Sequence, residues 1–103
     1  MENINETSIL YRVTEFSRKN GKKINFSVLS FFMRLLTIAK RDSEGWFVSE
    51  AIKDLAVAVD MSVRTVSFCL KCLRELGIIM GRRGKPTVYR IESSILGVNE
   101  VFL

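Results

Sequence analysis

Apolar positions recur at helical spacing in four stretches of the 103 residues and at strand-like spacing in three. Ile9, Leu10, Val13 and Phe16 share one helical face and predict a first helix over residues 7–19, with Thr7 or Ser8 as its cap. Residues 1–6 are polar and read as a frayed end. The basic turn at 18–23 contains Gly21, a residue suited to the left-handed conformation that ends helices. A second helix is expected over residues 27–41, capped by Asn25 or Ser27. Its apolar residues lie nearly all round, from Val28 and Leu29 to Ile38 and Ala39, so it should be buried on more than one side. Lys40 and Arg41 would then complement the dipole in its last turn.

Residues 42–45 read as a loop and Trp46-Phe47-Val48 as a short strand. Ser49 is the expected cap of a third helix at 50–59, burying Ile52, Leu55, Ala56 and Val59. Asp60 and Met61 make a turn, and Ser62 caps a fourth helix that Gly77 terminates. Residues 78–82 and 87–91 are two β-rich runs joined by Arg83-Gly84-Lys85-Pro86. That spacing and its Gly/Pro tip predict a hairpin. The expected class is mainly α with a small β-hairpin. A chain of this length forms one domain with one core. Its parts are an N-terminal helix and basic turn (1–24), a central unit (25–91) and a C-terminal segment (92–103).

Charge changes the picture. The net charge is +5 and the pI is about 9.6. Between Ser62 and Arg90 there are seven basic residues against Glu75 alone, a local +6, so the remainder sums to −1. The positive charge is concentrated on the fourth helix and the hairpin, where it would meet a polyanion. Nucleic acid is favoured over an anionic membrane surface. The longest apolar stretch, residues 28–39, is interrupted by Ser30, Arg34 and Thr37 and is too short to span a bilayer. No cleavable signal peptide is visible, and a cytoplasmic location is expected.

On the fourth helix Val66, Leu70, Leu73 and Gly77 fall on one side, with Cys69 at its edge. The other side carries Arg64, Phe68, Lys71 and Glu75, flanked by Thr65 and Ser67. Arg64 can pair bidentately with guanine, Thr65 and Ser67 can bond a base or a phosphate, and Lys71 suits phosphate. Ser62 marks a helix N-terminus whose free N–H groups suit a phosphate oxygen. Phe68 is costly to leave wet at the centre of a polar face and can contact thymine methyls; a protein contact is its other use. Arg82, Arg83 and Lys85 occupy a tight tip between Gly81 and Gly84, which suits phosphate or a narrow minor groove. Tyr89 reads as core.

The candidate chemistry beyond this is thin. Cys69-Leu70-Lys71-Cys72 is formally a C-x-x-C, but it lies mid-helix in a chain without histidine. Two small buried hydrophobes are the expected reading, with no metal and no cofactor. Without histidine there is no Ser-His-Asp set, and no phosphate-binding glycine loop is present, so an enzyme is not expected.

Residues 25–91 resemble winged helix-turn-helix DNA-binding domains, most closely those of phage and plasmid replication proteins and small bacterial regulators. The resemblance runs through FSVLSFFMRLLTIAK, WFVSE and IKDLAVAVD to MSVRTVSFCLKCLRELGII and a basic wing ending in TVYRI. In such domains S-x-x-T-V opens the recognition helix and L-x-x-L-G-I-I leads into the wing. Here these are Ser62, Thr65 and Val66, then Leu73, Leu76, Gly77, Ile78 and Ile79. Phe68 departs from the pattern, standing where the family often has a polar or basic residue. The resemblance implies a sequence-specific double-stranded DNA-binding protein acting through helix 62–76 and wing 82–86, most simply a transcriptional regulator. The alternatives are the DNA-binding module of a replication or partition protein and, in another class, a winged-helix protein-interaction module. No small-molecule effector is indicated. A homodimer is expected, because one winged helix reads a short site and the apolar stripe of the first helix can exceed what a small core consumes.

Overall fold

The computed structural model describes residues 6–21, 24–84 and 87–96. Its elements are α1 (Glu6–Lys19), α2 (Phe26–Ile38), β1 (Lys40–Asp42), β2 (Gly45–Val48), α3 (Ile52–Val59), α4 (Val63–Glu75), β3 (Ile79–Arg82), β4 (Val88–Ile91) and a short α5 (Ser93–Leu96). All four strands form one antiparallel sheet in the order β1-β2-β4-β3.

The core forms around α2. Phe31, Phe32 and Leu35 are fully buried there, with Leu55 of α3 and Val66, Cys69, Leu70 and Leu73 of α4. Helix α4 packs on α2, α3 and β3. The inner sheet face adds Val48, Ile79, Tyr89 and Ile91, so Tyr89 is a core residue. The apolar stripe of α1 also closes this core: Ile9 and Val13 are buried and Phe16 packs against them. It does not stand free as a spare surface. What α1 leaves outside is Tyr11 and the half-exposed Leu10.

Several local expectations are corrected. Helix α1 already includes Glu6, so Thr7 and Ser8 lie inside it and not at its cap. Helix α2 is capped by the Asn25 side chain, which accepts from the Val28 N–H at 2.8 Å, but it stops at Ile38 because Ala39 turns extended. Lys40 and Arg41 therefore sit on strand β1 instead of a last helical turn; pairing with Phe47 and Trp46 gives their backbone sheet partners. The expected loop at 42–45 shrinks to Ser43 and Glu44 between two strands, with Asp42 Oδ1 accepting from the Glu44 N–H at 2.9 Å. Helix α3 begins at Ile52 with Ala51 at its cap position and no side-chain capping bond, so Ser49 is not the cap. The strand persists until Val48, which pairs with Tyr89, and this delays the helix.

The connections around α4 follow expectation. Asp60 adopts the left-handed conformation (φ 56°), which aspartate tolerates, and the Met61 N–H closes onto the Ala56 carbonyl at 3.0 Å. Gly77 (φ 78°) ends α4, with the Ile78 N–H bonded to the Leu73 carbonyl at 3.0 Å. The chain then enters β3 directly. Lys22, Lys23, Lys85, Pro86 and the ends at 1–5 and 97–103 lie outside the described residues.

Candidate nucleic-acid interface

Helix α4 presents two sides of opposite character because its apolar residues recur every three or four positions. Val66, Cys69, Leu70 and Leu73 are inside; Arg64, Ser67, Phe68, Lys71, Arg74 and Glu75 are exposed. The register read from sequence is therefore the observed one. Gly77 is the exception: it is exposed past the helix end. Phe68, 52% exposed, stands in the middle of the outer face.

Ser62 caps the helix. Its Oγ accepts from the Thr65 N–H at 3.1 Å and donates to Thr65 Oγ1 at 2.9 Å. Ser62 is exposed, but its hydroxyl is occupied by capping. Thr65 is half-buried at the flank of the helix. The two hydroxyls thus serve the helix start first, and what Ser62 leaves open there is backbone N–H.

The wing is the β3–β4 hairpin, in register Met80↔Arg90, Gly81↔Tyr89 and Arg82↔Val88. Arg82 ends β3 and Arg83 follows it, both exposed; Lys85 lies outside the described residues. The short link Leu76–Ile78 ties the wing to α4, so the helix and the wing are neighbours by connection and by packing. Arg74, in the last turn of α4, enters the sequence reading through its charge alone. Its Cδ lies 3.5 Å from where a Cβ on Gly81 would stand, so its stem crosses from helix to wing over a glycine. A basic residue at the end of α4 followed by a glycine in β3 was the available signal.

The seventh cation, Arg90, is different. Its guanidinium bonds Asp42 (2.7 and 3.0 Å), lies 3.0 Å from Glu44 Oε2, and stacks over Phe47 with its carbon 5.2 Å from the ring centroid. The cross-sheet register explains this: Lys40, Phe47, Arg90 and Met80 lie in one row across all four strands. The local charge of +6 therefore overstates what is available, because Arg90 is matched by carboxylates 46 and 48 positions upstream in the chain. Among the described residues, Arg64, Lys71, Arg74, Arg82 and Arg83 make no ion pair. These five cations lie on one helix and the adjoining wing.

A second arginine with a distant partner, Arg34, interrupts the apolar stretch in α2. Arg34 Nη1 donates to the Val59 carbonyl at 2.6 Å, at the C-terminus of α3. It braces the turn that sets α3 against α4.

Cys69 is buried, with Sγ 3.8 Å from the Ser27 carbonyl oxygen, and burial pushes its thiol pKa up. Cys72 is half-buried. Among the described residues no three His, Cys, Asp or Glu side chains are grouped to hold a metal, and no helix is long and apolar enough to cross a membrane.

The element order, the helix-turn-helix of α3 and α4 and the hairpin after it define the fold as a winged helix-turn-helix. No family model and no curated protein matches the chain. Among solved structures, the ST1889 protein of the archaeon Sulfolobus tokodaii is similar, with a TM-score of 0.59 and 21% identity over 94% of this chain and 87% of that one. A homodimeric winged helix-turn-helix DNA-binding domain from Mycobacterium bovis, a possible ArsR-family transcriptional regulator, gives a TM-score of 0.48 and 17% identity, over 95% of this chain and 80% of that one. A CRP-family transcriptional regulator from Thermus thermophilus gives 0.47 and 20%, over 91% of this chain and 48% of that one.

Proposed function

We propose that this chain is a sequence-specific double-stranded DNA-binding protein, acting as a transcriptional regulator through α4 in the major groove and the β3–β4 wing beside it. The observation that carries this reading is the outer face of α4: Arg64, Ser67, Phe68 and Lys71 exposed, with unpaired cations continuing through Arg74 to Arg82 and Arg83. A solvated surface helix ordinarily intersperses both signs of charge, whereas here Glu75 is the only acid on α4. Arg64, near the helix start, is placed to reach a base edge. Lys71, Arg74 and the wing arginines serve the phosphate backbone, with Lys85 of the tip assigned the same role. Thr65 and Ser62 act through the helix start. The reaction is binding alone, with no cofactor.

Two copies on a two-fold site complete the reading, since a single module covers few base pairs. Their contact would use the outer side of α1, where Leu10 and Tyr11 are exposed. The test is a salt series with the full chain on random duplex DNA. Five neutralised phosphates, met by Lys71, Arg74, Arg82, Arg83 and Lys85, lose roughly several hundredfold in affinity between about 50 and 200 mM salt. Affinity that stays flat over that range would overturn the reading and favour the protein-interaction alternative.

A further inference from the structure

We propose that Phe68 reads the 5-methyl group of thymine, so that the DNA site carries a thymine within about two base pairs of the base read by Arg64. This rests on the DNA-binding reading above.

Among the described residues, the exposed large apolar side chains fall on five elements: Leu10 and Tyr11 on α1, Phe26 at the start of α2, Val57 on α3, Met80 on the wing, and Val63 and Phe68 on α4. Of these, Phe68 lies at the centre of a cationic face. Its helical neighbours there are Arg64 one turn before and Lys71 just under one turn after. Val66, Cys69, Leu70 and Leu73 fill the opposite side, so the core has no place for this ring. An interface for another protein is built around a cluster of apolar anchors with few charges at its centre. The outer arc of α4 is the reverse, one aromatic ring among cations.

DNA matches that pattern. Phosphates meet the cations, and thymine methyls are the apolar feature of the major-groove edge. With a helical rise of about 1.5 Å per residue, Arg64 and Phe68 are about 6 Å apart along the axis. That is close to two base-pair steps of about 3.4 Å. The two side chains therefore address base pairs up to about two steps apart, one by hydrogen bonds and one by apolar contact.

The experiment compares thymine with uracil, which pairs identically and lacks only the methyl. A random duplex library is enriched on the full chain, and the enriched pool is re-amplified with either dTTP or dUTP. The wild-type chain should bind the uracil pool about three- to fivefold more weakly for each methyl contacted. Phe68→Ala, whose fold is checked by circular dichroism, should bind both pools equally. Phe68→Leu should retain a reduced preference for thymine. Equal wild-type binding to both pools would overturn the proposal while leaving DNA binding intact. So would a Phe68→Ala chain that keeps the full preference, or one that is folded yet binds neither pool. A wild-type chain that binds no duplex at all would overturn the DNA reading and this proposal together.

Discussion

Arg90 grips Asp42 with both ends of its guanidinium, Nη1 to Oδ1 at 3.0 Å and Nη2 to Oδ2 at 2.7 Å. The pair ties the β1–β2 hairpin to the returning strand of the wing. The hydrogen bond from Arg90 is the largest influence holding the Asp42 carboxyl below its ordinary value, partly opposed by desolvation. A carboxylate lowered by folding stabilises the fold above its ordinary pKa, and that contribution is lost as pH falls through the lowered folded value. We expect Asp42 to titrate below a free aspartate when followed by carboxyl NMR, and Arg90→Gln to return it toward the ordinary range. An ordinary midpoint in the wild-type chain would contradict the pairing.

Because Arg90 is already matched by Asp42 and Glu44, its removal should matter little to DNA. Arg90→Gln should leave the slope of log affinity against log salt nearly unchanged, whereas Arg82→Gln or Arg83→Gln should each reduce it by about one. Equal reductions in all three variants would mean that Arg90 leaves its carboxylates to bind phosphate.

Arg34 holds the C-terminus of α3 through the Val59 carbonyl. Truncation to Ala leaves that carbonyl to water and loosens the turn before α4. The expected cost is about 1–2 kcal/mol in urea denaturation, in the range for a hydrogen bond to a charged group at a partly exposed site. A change within about 0.3 kcal/mol would show that the bond adds nothing to stability.

Arg64 and the wing should fail differently. Arg64→Ala should cost about 1–3 kcal/mol on a selected site and relax discrimination at one base pair. The triple replacement of Arg82, Arg83 and Lys85 should weaken selected and scrambled duplexes alike. Paired isotherms on the two duplexes check both. If Arg64→Ala weakened both duplexes equally and the wing variant changed neither, α4 would not be the reader.

The two cysteines should separate by reactivity. Cys69 is fully buried with a thiol raised by burial, and Cys72 is half-buried. Iodoacetamide should label Cys72 well before Cys69, as mass spectrometry of a time course would show. The double replacement Cys69→Ala and Cys72→Ala should cost about 1–2 kcal/mol of stability through the cavity at Cys69. DNA affinity at matched folded fraction should not change. Stoichiometric zinc in the purified wild-type chain, lost in that variant, would reverse the assignment.

Local signals in the chain were enough for α4, its cap at Ser62, its stop at Gly77 and the wing. Each of these is set by short-range chemistry: a hydroxyl three residues from the N–H it accepts, a left-handed position that glycine favours, and apolar residues repeating every three or four positions. The outward set Arg64, Ser67, Phe68 and Lys71 followed from that periodicity alone. The end of α2 did not, because Lys40 and Arg41 are acceptable in a last helical turn, and only pairing with Trp46 and Phe47 draws them into a strand. Nor did the start of α3, which waits for Val48 to finish pairing with Tyr89 across the sheet. The partners of Arg34 and Arg90 lie 25 and 48 residues away. No periodicity or cap rule connects such positions, since long-range electrostatic partners are chosen by the packing of whole elements. Net charge could therefore be counted from the residues, but which cations stay unmatched, and so what the surface offers a polyanion, was decided only when β4 came to lie beside β2.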